Sequence, residues 1–211
     1  MHSVIESANQ RMRERRALLG ARARTLAIER GLSGFTVDEL CEDVGVSRRT
    51  FFNYFPTKEQ AVLGRPEEGL EGETLERFLA GGGVPGTLSP TLLDALVDLA
   101  VEHFEGIGLT PDGAQQLFAL LEREPKLFTA LMQAGSERDR LLERFSAERE
   151  GVAPDDPRIR LAVQLVGTLA RHAVEQSLAH PEGPPFNAVL RARLDLARTL
   201  LTRTPDPEKD R

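Results

Sequence analysis

Residues 36–60 read TVDELCEDVGVSRRTFFNYFPTKEQ, and this stretch contains three helix starts in succession. Thr36 is followed three residues later by Glu39, which is the spacing of a capping box at a helix N-terminus. Gly45 allows the left-handed backbone that ends a helix, and Ser47 can cap the next one. A second capping box farther along starts a third short helix. Two short helices joined by a glycine turn predict a helix-turn-helix.

The second of these helices carries two arginines in its first turn, Arg48 and Arg49. The first turn is the positive end of the helix macrodipole, so both cations destabilise their own helix. Their position indicates that they bind another partner. Arginine at the start of a recognition helix can bond guanine O6 and N7 in the major groove of DNA. The alternative interpretation is that both arginines are solvated surface charges. The three successive helix caps around them favour the DNA-binding interpretation instead. Phosphate oxygens could be contacted by the hydroxyls and the one charge of Thr36, Ser47, Thr50, Tyr54 and Lys58. Phe51 and Phe55 are expected to point inward.

The stretch 45–59 resembles the DNA-binding signature of the TetR family of bacterial repressors, and the resemblance extends from about Arg13 to Leu63. It implies that the protein contacts DNA through Thr36, Ser47, Arg48, Arg49, Thr50, Phe52, Asn53, Tyr54 and Lys58. Two positions depart from the family: Phe52 stands where Tyr is usual, and Tyr54 where His is frequent. The variant is most similar to actinobacterial members, some of which are associated with mycofactocin operons and respond to acyl-CoA.

The net charge of −6 on 211 residues argues at first sight against nucleic acid as a partner. Residues 1–64, however, carry ten basic and eight acidic side chains, whereas residues 65–211 carry 17 and 25. The sequence therefore predicts a DNA-binding domain at 1–64 and an acidic ligand-binding and dimerisation domain at 65–211, held away from DNA. Arginines ahead of the first apolar helix face are candidates for phosphate or minor-groove contacts, with solvated charge as the alternative: Arg11, Arg13, Arg15 and Arg16.

Helical spacing dominates the rest of the chain, and strand signals are scarce, so the predicted fold class is all-α. Five amphipathic stretches bounded by Pro or Gly are expected at about 90–106, 111–123, 125–150, 156–180 and 185–203. Residues 65–90 accumulate glycine and proline and predict a flexible connection. A phosphate-binding loop would need a Lys-Ser or Lys-Thr pair after the glycines, and Thr87 and Leu88 follow Gly86 instead.

The last two long helices are apolar on more than one face, which predicts a homodimer that reads a palindromic operator. A thick monomeric core is the alternative. Polar residues that interrupt apolar faces predict a pocket for a small, largely apolar effector, with acyl-CoA as one candidate. The pocket residues are His103, Phe104, Gln116, Phe118, Leu131, Met132, Gln133, Gln164, Leu165, Thr168 and His172.

No catalytic residue, metal site or cofactor is predicted. The four histidines lack metal-binding spacing, no Gly-x-Ser-x-Gly elbow is present, and the single cysteine, Cys41, allows neither an intramolecular disulfide nor a site of several thiolates. No bilayer-spanning stretch or secretory signal is recognisable, so we expect a cytoplasmic protein. The predicted function is a ligand-responsive repressor of transcription. The alternative is a helical small-molecule-binding protein, or a hydrolase-like enzyme, that does not bind DNA.

Overall fold

The computed structural model describes residues 2–64, 70–107, 111–180 and 182–202, and this part of the chain is helical without a strand. The all-α expectation is confirmed. The helices are α1 (His2–Arg30), α2 (Val37–Val44), α3 (Arg48–Tyr54), α4 (Lys58–Leu63), α5 (Glu73–Ala80), α6 (Leu92–Ile107), α7 (Pro111–Arg123), α8 (Pro125–Glu150), α9 (Pro157–Ala179) and α10 (Phe186–Thr202). Among these helices, none has the length and apolar composition needed to cross a membrane.

The five long helices α6–α10 begin and end within two residues of the predicted bounds. Proline explains three of the starts, because α7, α8 and α9 each begin with it and its missing N–H has no partner in the first turn of a helix. Asp156 caps α9, since its side chain accepts a hydrogen bond from the N–H of Arg158 at 2.9 Å. Hydrogen bonds from the Arg158 guanidinium, together with this backbone bond, hold the pKa of Asp156 below its ordinary value.

The chain folds into two compact units, which differ from the predicted division at residues 64 and 65. Unit 1 consists of residues 1–72 and 103–142, and unit 2 of residues 73–102 and 143–211. Unit 1 thus adds α7 and most of α8 to the four N-terminal helices. The reason is apolar packing, because Leu120, Leu121 and Leu127 belong to the same buried cluster as the apolar face of α1.

The apolar face of α1 belongs to the buried core of unit 1. Its residues Leu19, Ala23, Leu26 and Ala27 are at most 1% exposed, and they pack with Phe35, Leu40, Phe51, Phe55, Ala61 and Val62. Polar contacts also connect this N-terminal segment with later residues of unit 1. The Arg24 guanidinium donates to the carbonyl of Ile107 at 3.0 Å, and the carboxylate of Glu124 accepts a hydrogen bond from the N–H of Leu32 at 3.3 Å.

In unit 2, the glycine-rich turn of residues 81–86 packs against the C-terminal end of α8. A Cβ atom at Gly82 would overlap the carbonyl oxygen of Arg149, and the N–H of Gly86 donates to the carbonyl of Glu150 at 3.1 Å. The prediction of a flexible connection is therefore wrong for this turn, because the missing side chains allow close backbone contact. Residues 65–69 of the predicted connection lie outside the described residues.

Arg149 and Glu150 are buried beneath this turn, with side chains 2% and 0% exposed. Nε of Arg149 donates to Glu150 at 2.9 Å, Nη2 donates to the hydroxyl of Thr91 at 2.9 Å, and Nη1 donates to the carbonyl of Phe78. The Glu150 carboxylate also accepts hydrogen bonds from the N–H of Ser89 at 2.6 Å and from its hydroxyl at 2.9 Å. This ion pair joins α8 to the segment between α5 and α6.

Candidate nucleic-acid interface

Helix α2 begins with the predicted capping box. The Thr36 hydroxyl oxygen accepts the N–H of Glu39 at 3.1 Å, and the Glu39 carboxylate accepts the N–H of Thr36 at 2.6 Å and its hydroxyl at 3.0 Å. These hydrogen bonds to the charged form lower the pKa of Glu39. The helix ends at Gly45 with φ 71°, and the N–H of Val46 donates to the carbonyl of Cys41 at 3.0 Å. The turn that separates α2 from α3 therefore follows from local chemistry.

Helix α3 presents one buried and one exposed face. Ser47 caps it, since its hydroxyl accepts the N–H of Thr50 at 3.1 Å and lies 2.8 Å from the Thr50 hydroxyl. Phe51 and Phe55 are 0% and 1% exposed, as predicted. The opposite side is open to solvent and carries Arg48, Arg49, Phe52 and Asn53. The two arginines predicted to read bases thus lie on the exposed face of a short, capped helix, together with Phe52 and Asn53.

The two arginines of α3 have different surroundings. Nη1 of Arg48 donates to both carboxylate oxygens of Asp38 on α2, at 3.0 and 2.9 Å, and the guanidinium carbon lies 5.5 Å from the centre of the Phe52 ring. Arg49 is exposed and has no ion pair or hydrogen bond to the described part of the chain. The Asp38 contact joins separate helices, so the sequence pattern predicts no difference between the two arginines.

Lys58 and Tyr54 are half-buried rather than fully presented to solvent. The Lys58 ammonium donates to the carbonyl of Phe35 at 2.7 Å and lies 4.5 Å from the centre of the Phe35 ring. Tyr54 packs against the apolar core of unit 1. Lys58 therefore links the start of α4 to the segment before α2, a structural role that its position in the sequence did not predict. Two of its three donors are not used by the Phe35 bond, so a phosphate contact stays compatible with this geometry.

Of the predicted N-terminal arginines, two can be placed. Arg15 is exposed, whereas Arg16 forms an ion pair with Glu71 at 2.8 Å. The backbone there belongs to helix α1 and is not an extended arm. The side chains of Arg11 and Arg13 lie outside the described part of the structure.

The predicted pocket residues are divided between the two units. His103, Phe104, Gln116, Phe118, Leu131, Met132 and Gln133 belong to unit 1, and Gln164, Leu165, Thr168 and His172 to unit 2. His103, Phe104, Leu131 and Leu165 are half-buried, and the other seven are exposed. His172 lies 3.0 Å from the Glu175 carboxylate on the surface of α9. Neither unit by itself gathers the whole set.

Each unit contains a cavity that the sequence pattern did not predict. The cavity of unit 2 has a volume of about 370 Å³ and is lined by Thr74, Arg77, Phe78, Ala95, Asp98, Leu99, Val101, Glu102, Arg149 and Arg191. The cavity of unit 1, about 420 Å³, is lined by Thr57, Glu59, Pro125, Lys126, Thr129, Ala130 and Gln133. Only Gln133 belongs to the predicted pocket. These linings combine residues of separate helices, and a pattern along one helix does not reveal which residues meet.

The unit 2 cavity combines an apolar wall with two ion pairs. Phe78 and Leu99 are each 4% exposed and form part of the wall. Arg77 pairs with Glu102 at 2.7 Å, and Arg191 pairs with Asp98 at 2.6 Å. Among the described residues, no three His, Cys, Asp or Glu side chains come together as a metal site would require.

Comparison with known proteins connects both parts of the chain to one group of proteins. A family model described as bacterial regulatory proteins of the tetR family matches residues 20–63, and one described as an MftR C-terminal domain matches residues 92–202. The HTH-type transcriptional regulator TcmR of Streptomyces glaucescens is 31% identical over 162 residues, which are 73% of this chain and 70% of that protein.

Proposed function

Since the chain belongs to the TetR family of bacterial regulatory proteins, we propose that it is a dimeric repressor that a small-molecule effector releases from its operator. Family membership makes it a ligand-responsive, DNA-binding regulator of transcription and not an enzyme. The observation that carries the proposal is the capped helix α3, whose exposed face presents Arg48 and Arg49. The function requires the cytoplasm, where a bacterial operator lies.

The function is tested with the promoter DNA that flanks the protein's own gene. A gel-shift titration at low salt, with and without unlabelled competitor, is expected to give a shift that requires a palindromic site. A protein that binds small molecules but gives no palindrome-dependent shift would support the alternative of a binding protein without DNA function. Loss of repression of a promoter–reporter fusion when the gene is deleted distinguishes a repressor from an activator.

We expect Arg49→Ala to lose about 1–3 kcal/mol of binding at one operator position, because a bidentate arginine–guanine contact contributes that much discrimination. Lys58→Ala should weaken binding to all sequences and reduce the salt slope by about one. Fluorescence anisotropy on a panel of single-base-pair operator variants measures both effects. Arg123→Ala, which removes an exposed cation of α7, is the control for charge alone. A loss of binding affinity that is equal on every operator variant would contradict base reading by Arg49. Because Lys58 also bonds to the carbonyl of Phe35, thermal unfolding verifies that Lys58→Ala still folds.

The proposed dimer surface lies on α9 and α10, which pack against each other in unit 2. Their inner faces bury Ile159, Val163, Leu190 and Leu194. Apolar side chains on the other faces stay open to solvent: Leu161 is 66% exposed, Leu196 59%, Leu200 66% and Leu201 79%. Along α10 the exposed residues Ala188, Ala192, Leu196 and Leu200 recur every four positions and form one stripe. An apolar stripe beside a completed core favours a second copy of the chain as its partner.

Leu196→Glu combined with Leu200→Glu is expected to convert the dimer into a folded monomer, because two carboxylates would have to be desolvated in the interface. Sedimentation equilibrium measures the mass, and the gel shift should weaken at least about tenfold, since one recognition helix then binds without its partner. Val84→Glu is the matched control, because Val84 is 72% exposed and lies on neither helix. A double variant that sediments as a dimer would rule out this surface.

For the effector site we propose the cavity of unit 2. Its volume of about 370 Å³ lies in the range of small-molecule sites, and its lining combines four apolar residues with five charged residues that could orient a ligand. The predicted set from His103 to His172 stands as a second proposal. The effector is proposed to be small and largely apolar. An acyl-CoA is one candidate, of which a cavity this size would take the acyl part.

Two variants distinguish the effector sites. Ala95→Phe fills the cavity of unit 2, whereas Gln164→Ala with Thr168→Ala changes the predicted set. Palmitoyl-CoA, coenzyme A and palmitate are titrated separately into the protein–operator complex. We expect palmitoyl-CoA to release DNA from the wild type, and Ala95→Phe to retain DNA binding while losing the response. A response unchanged by Ala95→Phe but lost in the double variant would favour the predicted set.

A further inference from the structure

Arg48 is held at two points in the DNA-free protein. Its Nη1 atom donates to both oxygens of Asp38, at 3.0 and 2.9 Å, and its guanidinium carbon stands 5.5 Å from the centre of the Phe52 ring. Phe52 in turn meets Phe51 edge to face, with ring centres 5.2 Å apart, and Phe51 is fully buried. The guanidinium of Arg48 is therefore supported by a carboxylate of α2 and by a ring that rests on the core.

The Asp38 contact leaves one edge of the guanidinium unused. Arginine carries five N–H donors in a planar fork, and Asp38 engages only Nη1. The edge formed by Nε and Nη2 makes no hydrogen bond to the described residues. The two N–H donors of that edge are parallel, so guanine O6 and N7 can accept hydrogen bonds from both of them at once. The contact thus orients Arg48 without consuming the pair of donors that base reading needs.

Stability does not account for this ion pair. Both side chains are more than half exposed, 59% for Arg48 and 58% for Asp38, and ion pairs this exposed contribute little to folding. A carboxylate beside a DNA-contacting helix also repels phosphate, which lowers the affinity for DNA in general. An acidic residue at this position is therefore better explained by an effect on selectivity.

We propose that Asp38 is a positioning residue that, with the Phe52 ring as platform, presents Arg48 for bidentate reading of one guanine. This inference rests on the proposed operator binding. Asp38 limits the rotamers of a long, flexible side chain before DNA arrives, so less conformational entropy is lost on binding. It also disfavours the use of Arg48 as a nonspecific phosphate contact. Asp38 therefore raises the ratio of specific to nonspecific affinity.

The test uses an operator selected from random duplexes and a panel of its single-base-pair variants. Four proteins are compared with the wild type: Asp38→Ala, Arg48→Ala, the double variant of these two, and Asp43→Ala. Asp43 is the matched control, because it lies on the same helix and forms an exposed ion pair with Arg22 at 2.6 Å. Thermal unfolding verifies that each variant folds.

We expect Arg48→Ala to identify the base pair that it reads, and Asp38→Ala to lose discrimination at that same base pair by at least about tenfold. The double variant should lose no more than Arg48→Ala alone, because the two residues then act as one unit. Affinity for nonspecific duplex should hold or rise in Asp38→Ala, since a negative charge is removed. Asp43→Ala should keep full discrimination.

Full discrimination in Asp38→Ala, or losses that add in the double variant, would overturn the proposal. A measurement without DNA separates this failure from a failure of operator binding. In the free protein, NMR relaxation of the Arg48 Nε–H group should show a restricted side chain that becomes mobile in Asp38→Ala and not in Asp43→Ala. Equal mobility in all three would refute the positioning role, whereas a wild type that binds no operator would refute the proposed function itself.

Discussion

A fragment ending at Gly64 is expected to lack a stable fold, although it contains the whole helix-turn-helix. The reason is the core of unit 1, in which Leu120, Leu121 and Leu127 complete the cluster formed by α1–α4. Leu127 is 0% exposed, and Glu124 nearby accepts the N–H of Leu32. A segment of about 60 residues is marginal even with a complete core. Circular dichroism and thermal unfolding of the fragment should show no cooperative transition.

The full chain provides the matched experiment. Leu127→Ala should lower the free energy of unfolding by about 2–5 kcal/mol, because it removes buried methyl groups and leaves a cavity. Phe128→Ala, on the next residue, is the control, since that side chain is 51% exposed. A fragment of residues 1–64 that melts cooperatively, together with a small effect of Leu127→Ala, would restore the division at residue 64 as a structural boundary.

Charge and compact packing divide the chain differently. Residues 1–64 carry a net charge of +2, whereas unit 1 as a whole has 15 basic and 17 acidic side chains, a net charge of −2. The positive excess therefore belongs to the segment α1–α4, and α7 and α8 support that segment with apolar contacts. The sequence-based boundary describes where DNA is expected to bind, and the structural boundary describes what folds together.

The features that the sequence predicted well are those that depend on neighbours along the chain. The caps at Thr36 and Ser47 and the inward pair Phe51 and Phe55 involve residues three or four positions apart. Spacing alone is sufficient for such contacts, because a helix repeats every 3.6 residues. This is why the bounds of α6–α10 and the exposed face of α3 could be read before the structure was known.

The features that the sequence missed join residues distant along the chain. Asp38 meets Arg48 across a turn, Lys58 reaches the carbonyl of Phe35, and the wall of the unit 2 cavity combines Phe78 with Leu99. Glycine accumulation after α5 was equally consistent with mobility and with close packing, and only the docked position of Gly82 distinguishes the two. The spacing of residues along one helix does not reveal which residues of separate helices contact each other.

Glu150→Ala is expected to lower the free energy of unfolding by about 3–5 kcal/mol, because it leaves the Arg149 cation buried without its counter-charge. Both side chains are almost completely inaccessible, and the Glu150 carboxylate also accepts two hydrogen bonds from Ser89. A loss of this size is a large fraction of the total for a typical domain. Urea unfolding followed by circular dichroism measures it.

The cause can be separated from simple loss of contacts. Glu148→Ala is the matched control on the last turn of α8, because Glu148 is exposed, and it should change the unfolding free energy by less than about 0.5 kcal/mol. Replacing both charges, with Arg149→Met and Glu150→Leu, should cost less than Glu150→Ala alone, since no buried charge then lacks a partner. If the double replacement costs more, the hydrogen bonds to Ser89, Thr91 and Phe78 contribute more to stability than the pairing of the charges.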